Sequence, residues 1–370
     1  MRRPLLKILL IRLRLIGDVV LTTPIIRALR RAYPDARLVY VVEPHAAAVV
    51  QGNPHLDEVL VAPLESGVAR WRTDARLAWQ LRRERFDIAV DFHGGPRSSL
   101  LALASGARRR IGYTVAGRSW MYTDVVPRPR GHRPHHSVLN QWELVQALLP
   151  GRPIPTPASD PVEMAEDAAA GARIEARLSA MHPNPAAEVV VVHVGAGNEF
   201  RRWPEEGFAE VVAALSSRRA DRRIILTTGA AQVARAEMIQ RLAVQRGIDP
   251  SAVTVMCDLD LAELRSLVAR AALFVGGDSG PGHIAATTDT PMVVIFGPTT
   301  DVVWGPWRRP DLATEIVDAG ELPCRPCDQR RCEPGDFRCL RAITPTTVVA
   351  AAERALERER RRVKVSGTTS

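Results

Sequence analysis

The stretch Leu273 to Pro298, LFVGGDSGPGHIAATTDTPMVVIFGP, decides the fold class. An apolar run ends in Val275-Gly276-Gly277. The polar cluster Asp278-Ser279-Gly280-Pro281 comes next, then a small-residue segment carrying His283, then a second apolar run from Met292 to Phe296. This order predicts strand, tight turn, helix, strand. Ser279 or Asp278 is placed to cap the helix, with Gly280, Pro281 and Gly282 in its first turn. A helix start just past a parallel strand gathers unpaired N–H groups, a seat for phosphate or sugar hydroxyls, at the strand end where open α/β sheets bind ligands.

Outward from this unit the pattern repeats. Strands are expected at Lys7 to Ile11, Arg37 to Val42, Glu58 to Val61, Asp87 to Asp91 and Arg109 to Gly112. Helices are expected at Val19 to Ala32, Ala46 to Gly52, Trp71 to Arg85 and Arg97 to Ser105. The region from Pro127 to Pro161 breaks the texture with eight prolines and a basic segment containing His132, His135 and His136. It encloses a helical pattern at Ser137 to Leu149, and another lies beyond it at Glu163 to Met181. The segment His182 to Ala187, HPNPAA, reads as a hinge. A second series places strands at Val189 to Val194, Arg223 to Thr227, Ala252 to Met256, Ala272 to Val275 and Pro291 to Phe296, and helices at Pro204 to Ser217, Gln232 to Arg246, Leu261 to Arg270 and Pro281 to Thr287. Alternation on this scale argues for two doubly wound, Rossmann-like α/β domains facing across a cleft. We place them at residues 1–183 and 184–343, with a charged helix at 344–363 and a disordered tail at 364–370.

A chain of 370 residues with 46 % hydrophobic and 25 % charged residues is globular and long enough for two cores. Fifty Lys and Arg against 41 Asp and Glu leave a formal charge of +9, which favours anionic partners without choosing among them. The start, MRRPLLKILLIRLRLIGDVV, has the basic-then-apolar order of a signal peptide. Lys7, Arg12 and Arg14 interrupt the run, and it is read as the first strand. With no uncharged run long enough to span a bilayer, the expectation is a cytoplasmic protein, one able to rest on a membrane surface.

Three loops carry candidate chemistry. After the first strand, Gly17 permits a tight path and Asp18 opens the next helix, either as a base for an attacking hydroxyl or as a cap. After the first strand of the second half, His193-Val194-Gly195-Ala196-Gly197-Asn198-Glu199-Phe200-Arg201-Arg202 has two glycines of a dinucleotide fingerprint but Phe200 in place of the third. Arg201 and Arg202 suit a departing diphosphate. The turn Thr227 to Gln232 ends the next strand. The third loop, the cysteine-rich segment 324–339, sets Cys324, Cys327, Cys332 and Cys339 at spacings that allow a structural zinc or iron–sulfur cluster, and equally a stiff loop with reduced thiols.

Four pieces in this order, LIRLRLIGDVVLTTP (Leu10 to Pro24), HVGAGNEFRRWP (His193 to Pro204), FVGGDSGPGH (Phe274 to His283) and FGPTTDVVWGPW (Phe296 to Trp307), resemble the lipopolysaccharide heptosyltransferases of glycosyltransferase family 9, and the similarity extends over nearly the whole chain. The resemblance implies a GT-B fold and inverting transfer of heptose from ADP-heptose to the inner core of lipopolysaccharide. No cofactor is then needed for the chemistry, and no nucleic acid partner is expected. It implies an acceptor-binding N-terminal domain, a donor-binding C-terminal domain, and work at the cytoplasmic face of the inner membrane. Asp18 becomes the base. Arg201, Arg202, Gly195, Asp278, Ser279, Gly280, His283 and Gln232 become donor residues, and Arg12, Arg14, Gly17 and Arg97 become acceptor residues. Arg201 stands where a Lys is common, and the acidic residue expected just after the Gly229 turn to meet a ribose has no clear match, Gln232 being nearest and Glu237 lying later. Another nucleotide sugar for surface glycan synthesis is the near alternative, and a dinucleotide-dependent oxidoreductase the distant one.

Overall fold

The computed structural model describes residues 5–128, 135–181 and 187–367. The chain divides into two compact units, Met1–Ala165 and Glu166–Ser370.

The first unit carries β1 (Lys7–Ile11), β2 (Arg37–Val42), β3 (Glu58–Val61), β4 (Ile88–Asp91), β5 (Arg109–Tyr113) and β6 (Asp124–Val126). Its helices are α1 (Ile16–Val20), α2 (Thr23–Ala32), α3 (Gly67–Glu84), α4 (Pro96–Ala104) and α5 (Ser137–Val145). All pairings are parallel, in the order β3-β2-β1-β4-β5-β6. Runs such as Ile8-Leu9-Leu10-Ile11, wholly buried, have the unbroken apolar character of strands covered on both faces.

The second unit repeats the plan. Its strands are β7 (Glu188–His193), β8 (Arg222–Thr227), β9 (Val253–Met256), β10 (Leu273–Gly277), β11 (Met292–Phe296) and β12 (Thr314–Asp318), in the order β12-β11-β10-β7-β8-β9. Its helices are α6 (Ala168–Met181), α7 (Glu205–Ser217), α8 (Val233–Val244), α9 (Leu261–Ala269), α10 (Gly280–Ala285), α11 (Asp301–Trp304), α12 (Arg338–Arg341) and α13 (Pro345–Gly367). In both sheets the winding reverses once, between β1 and β4 and between β7 and β10. At such a switch point the loops leaving the strands diverge and open a crevice.

Three differences from the sequence expectation have local causes. The helix expected over Val19 to Ala32 is two helices, because the Thr22 and Thr23 hydroxyls bond back to the Val19 and Val20 carbonyls at 2.7 and 2.8 Å and Pro24 restarts the spiral. The expected helix Ala46 to Gly52 is a 3-10 turn over Pro44–Val49. The boundary set at 183/184 falls at 165/166, because α6 belongs to the second unit: Arg173 meets Glu263 on α9 at 2.6 Å and Arg177 meets Asp258 at 2.8 Å. The proposed hinge lies, apart from Ala187, outside the described residues, as do His132 and the last residues of the tail. His136 caps α5 by accepting from the Val138 amide at 3.2 Å.

Candidate functional site

In the first unit β1 runs into Arg12, and Asp18 sits on the first turn of α1. The Asp18 carboxylate meets Arg12 Nη2 at 2.5 Å and accepts from the Leu15 amide at 3.2 Å, both through Oδ2. It therefore does cap the helix, and its Oδ1 has no partner among the described residues. The side chain is 14 % exposed. Arg12 is also committed: Nη1 donates to the Phe92 carbonyl. The loop after β4, Asp91-Phe92-His93-Gly94-Gly95, closes the other side. Asp91 is fully buried and accepts from the His93 and Gly94 amides and from the Tyr122 hydroxyl, at 2.8, 3.0 and 2.7 Å. The His93 ring lies 3.1 Å from the Arg14 carbonyl, and burial, then the charge of Arg12, holds its pKa below the usual value. None of this loop's residues stands out by sequence reasoning, although a His-Gly-Gly run after a strand is the signal that marks it.

Of the expected acceptor residues, Arg14 is exposed and meets no carboxylate among the described residues, and Gly17 is buried in α1. Arg97 departs from expectation. It is held by Glu43 at 3.0 Å, Asp74 at 2.5 Å and the Pro63 carbonyl at 2.8 Å, so it ties α4 to α3 and its charge is met by two carboxylates of its own unit.

In the second unit the central group is Asp278, just past β10 and 2 % exposed. Its Oδ2 takes the Thr299 hydroxyl at 2.6 Å and Arg201 Nη1 at 3.1 Å, and His283 Nε2 stands 3.8 Å from Oδ1. Buried this way, Asp278 is a support for Arg201 rather than a surface that lines a ligand. Arg201, 27 % exposed, is held a second time: its Nε donates to Gln329 Oε1 at 2.6 Å, an oxygen that also accepts from Asn198 at 3.2 Å. Nη2 has no partner among the described residues. Ser279 at the start of α10 makes no cap, and its hydroxyl is buried without a hydrogen-bond partner.

Arg202 does not join Arg201. The short 3-10 turn Glu199–Arg201 ends before it, the backbone at Arg202 is extended, and Arg202 donates to the Ala196 carbonyl at 3.1 Å and lines a pocket with Glu199, Glu205 and Glu206. Gln232 is likewise engaged, donating to the Ala196 carbonyl at 2.9 Å. Gly195 is needed for close approach: a Cβ there would lie 2.3 Å from the Thr228 hydroxyl oxygen. Beneath it His193, fully enclosed, lies 3.0 Å from the Thr227 hydroxyl, and burial pushes its pKa down to about 4 against the lift of a hydrogen bond to the Gly195 backbone.

The cysteine-rich segment folds against this group. Gln329 comes from it, Arg325 donates to the Thr299 carbonyl at 2.8 Å, the Cys327 amide donates to the Pro298 carbonyl at 3.1 Å, and Phe337 packs on Phe200 with ring centres 5.5 Å apart. Cys324, Cys327, Cys332 and Cys339 are unpaired and line one pocket of about 250 Å³ with Phe200 and Pro298. Burial, then the other three sulfurs, raises the Cys339 thiol. The donor set has the chemistry of a zinc or iron–sulfur site. As arranged, however, no three His, Cys, Asp or Glu side chains among the described residues converge closely enough to hold an ion.

The pattern of glycosyltransferase family 9 (heptosyltransferase) matches residues 75–336. Lipopolysaccharide heptosyltransferase 3 of Escherichia coli is 27 % identical over 354 residues, covering 93 % of this chain and 97 % of that protein. Among solved structures, the family 9 glycosyl transferase from Veillonella parvula DSM 2008 superposes with a TM-score of 0.82 at 21 % identity, over 96 % of this chain and 98 % of that one. The E. coli ADP-heptose lipopolysaccharide heptosyltransferase II does so with 0.76 at 19 % identity, over 96 % and 100 %. These two are likenesses of fold, and the fold is the expected GT-B type.

Proposed function

This chain belongs to glycosyltransferase family 9, and on that premise we propose that it moves a heptose from ADP-heptose to the inner core of lipopolysaccharide, inverting the anomeric centre. The observation that carries this reading is the Arg201–Asp278 pair at the switch point of the second sheet. A buried carboxylate and Gln329 fix a guanidinium by two of its nitrogens and leave Nη2 to meet a diphosphate as it departs. Charge that develops on a leaving nucleotide is best met by a donor already in place, because nothing then has to reorganise in the transition state.

The second group the reaction needs is a base for the acceptor hydroxyl. Asp18 is fixed through Oδ2 by Arg12 and the Leu15 amide, with Oδ1 left to take a proton. Exposed Arg14 beside it is suited to a phosphate or carboxylate of an anionic glycolipid acceptor. We assign the donor to the second unit, around Gly195, Arg201, Ser279, Gly280 and His283, with Arg202 and Gln232 shaping the loop through Ala196. Among the described residues no helix is long and apolar enough to cross a membrane. A glycolipid acceptor places the enzyme at the cytoplasmic face of the inner membrane as a peripheral protein. The four cysteines have the donor chemistry of a structural zinc or iron–sulfur site, and holding such a group requires their thiols to draw closer than they stand. Metal analysis of the purified chain decides that point: stoichiometric metal supports it, and four freely titrating thiols reject it.

Gln232, held on Ala196 where the resemblance calls for an acidic ribose partner, favours keeping a second nucleotide sugar in view. Calorimetry with ADP-heptose and with UDP- and GDP-sugars, then turnover on a lipid A–Kdo acceptor, separates the two. Tight binding and turnover with ADP-heptose are expected. Binding of another nucleotide sugar in its place overturns the donor assignment.

A further inference from the structure

The outer face of α3 combines exposed indoles with arginines that no carboxylate answers among the described residues. Only Leu77 and Leu81 of its eighteen residues are buried. At 100° per residue, Trp71, Arg82, Ala75, Val68, Trp79, Arg72, Arg83 and Arg76 fall in that order within an arc of roughly 140°. All eight are exposed: Trp71 74 %, Val68 69 % and Trp79 62 %. Leu64, just before the helix, is 57 % exposed. No carboxylate interrupts the arc. The two acids of the helix are turned to other work, Asp74 onto Arg97 and Arg70, and Glu84 onto Lys7 and Arg37. Arg72, Arg76, Arg82 and Arg83 meet no carboxylate among the described residues, and Arg83 lies over the Trp79 ring at 4.4 Å.

The charged helix α13 shows what an ordinary solvated face looks like in this protein. There Arg354 is answered by Glu315, Arg361 by Glu357 and Arg362 by Glu359. A face of two indoles, a valine and four unanswered guanidinium groups instead matches the boundary of an anionic bilayer, where Trp seats its ring at headgroup level and Arg meets lipid phosphates. A second copy of the same face is a poor occupant, because it would set arginine against arginine.

We propose that the outer face of α3 rests on an anionic lipid surface, with Trp71, Trp79 and Val68 entering the headgroup layer and Arg72, Arg76 and Arg83 on lipid phosphates. The proposal rests on the reading of the acceptor as a membrane-held glycolipid, and it names the surface by which the enzyme reaches it.

The test uses the full chain in co-sedimentation with phosphatidylcholine vesicles, with and without about 30 % phosphatidylglycerol. Wild type is expected to sediment with the anionic vesicles. Trp71→Ser/Trp79→Ser and Arg72→Gln/Arg76→Gln/Arg83→Gln should each weaken that binding by roughly tenfold or more. Because these side chains are exposed, thermal stability and turnover on a deacylated, soluble acceptor should hold, while turnover on acceptor embedded in vesicles falls. Variants that sediment like wild type overturn the proposal. So does a wild type that ignores anionic vesicles, which would leave an acidic protein as the occupant of this face. Loss of turnover on the soluble acceptor overturns it too, since the face would then serve catalysis directly. If ADP-heptose supports no transfer but wild type binds anionic vesicles and the variants do not, the donor reading fails and the docking surface stands.

Discussion

The two units share one strand order, and each places an arginine–carboxylate pair beside the point where its winding reverses, yet they present opposite members of the pair. In the first unit Arg12 is turned inward, with Nη1 on the Phe92 carbonyl, Nη2 on Asp18 and Nε buried without a partner, and the carboxylate keeps Oδ1 in reserve. In the second unit the carboxylate is sealed, Asp278 being 2 % exposed and hydrogen-bonded to Thr299, and Arg201 keeps Nη2 in reserve. The fold fixes where the pair stands. In the first unit the two members are equally shielded, at 13 and 14 % exposure, so what decides whether a unit offers a base or a cation is which atom its neighbours leave unengaged, and glycosyl transfer from a nucleotide sugar needs one of each.

The sharpest way to break this contrast is to neutralise each reserved atom in turn. Asp18→Asn keeps the shape and an oxygen for the Leu15 amide, and it should lower kcat by roughly 10²- to 10⁴-fold while leaving ADP-heptose affinity within about twofold. Steady-state kinetics beside calorimetry reads both, and an active Asn variant removes the base. Arg201→Gln should cost roughly 10²-fold in kcat and also weaken ADP binding. It should lower Tm as well, since Asp278 is left buried without its cation. Arg201→Lys restores charge but not the two-point hold on Asp278 and Gln329, so partial recovery is expected. If both positions affected donor affinity alike, the division of labour between the units would fail.

The pairs are legible at different depths. Asp18 and Arg201 stand in short motifs directly after strands, where α/β sheets put their chemistry, so position and residue type suffice. The fate of Arg97 is not legible, because the groups that consume it, Glu43 and Asp74, lie 54 and 23 residues away. Nor is that of Arg202, because adjacency in sequence does not reveal that the 3-10 turn ends at Arg201 and the backbone is extended at Arg202. The central strands are plain as continuous apolar runs. The edge strands β6 and β12, Asp124-Val125-Val126 and Thr314-Glu315-Ile316-Val317-Asp318, are short and carry charge, as edges do, and so give no strand signal of their own. Gln329 gives no local signal at all.

A second contrast lies at the carboxyl end of the first strand in each unit. β1 leads into the cation Arg12, whereas β7 ends in His193, enclosed and neutral with its pKa pushed down to about 4. Unfolded, a histidine titrates near 6.5, so between these values the unfolded chain takes up a proton that the folded one refuses. The stability this group contributes is present above pH 6.5 and is lost as pH falls toward 4. At pH 5 the loss is on the order of 2 kcal/mol. Thermal unfolding at pH 7 and pH 5 should show a smaller acid penalty for His193→Gln than for wild type, and equal penalties would mean that His193 is not held neutral.

The smallest expected effect tests whether the second pair is self-sufficient. Asp18 is oriented within its own loop, by Arg12 and Leu15, but Arg201 borrows an anchor from 128 residues away, since Gln329 Oε1 takes its Nε at 2.6 Å. Gln329 holds this position at φ +58, a left-handed backbone that costs a residue with a Cβ roughly 1 kcal/mol, so the loop carries strain to place that oxygen. Gln329→Ala should leave the Asp278 bridge intact and let the guanidinium pivot, lowering kcat by about three- to tenfold with little change in ADP affinity. Gln329→Gly removes the same oxygen but relieves the backbone. It should therefore show the same kinetic loss with a higher Tm than the Ala variant. Wild-type kcat in both would mean that Asp278 alone sets Arg201, with no need of the anchor from the cysteine-rich segment.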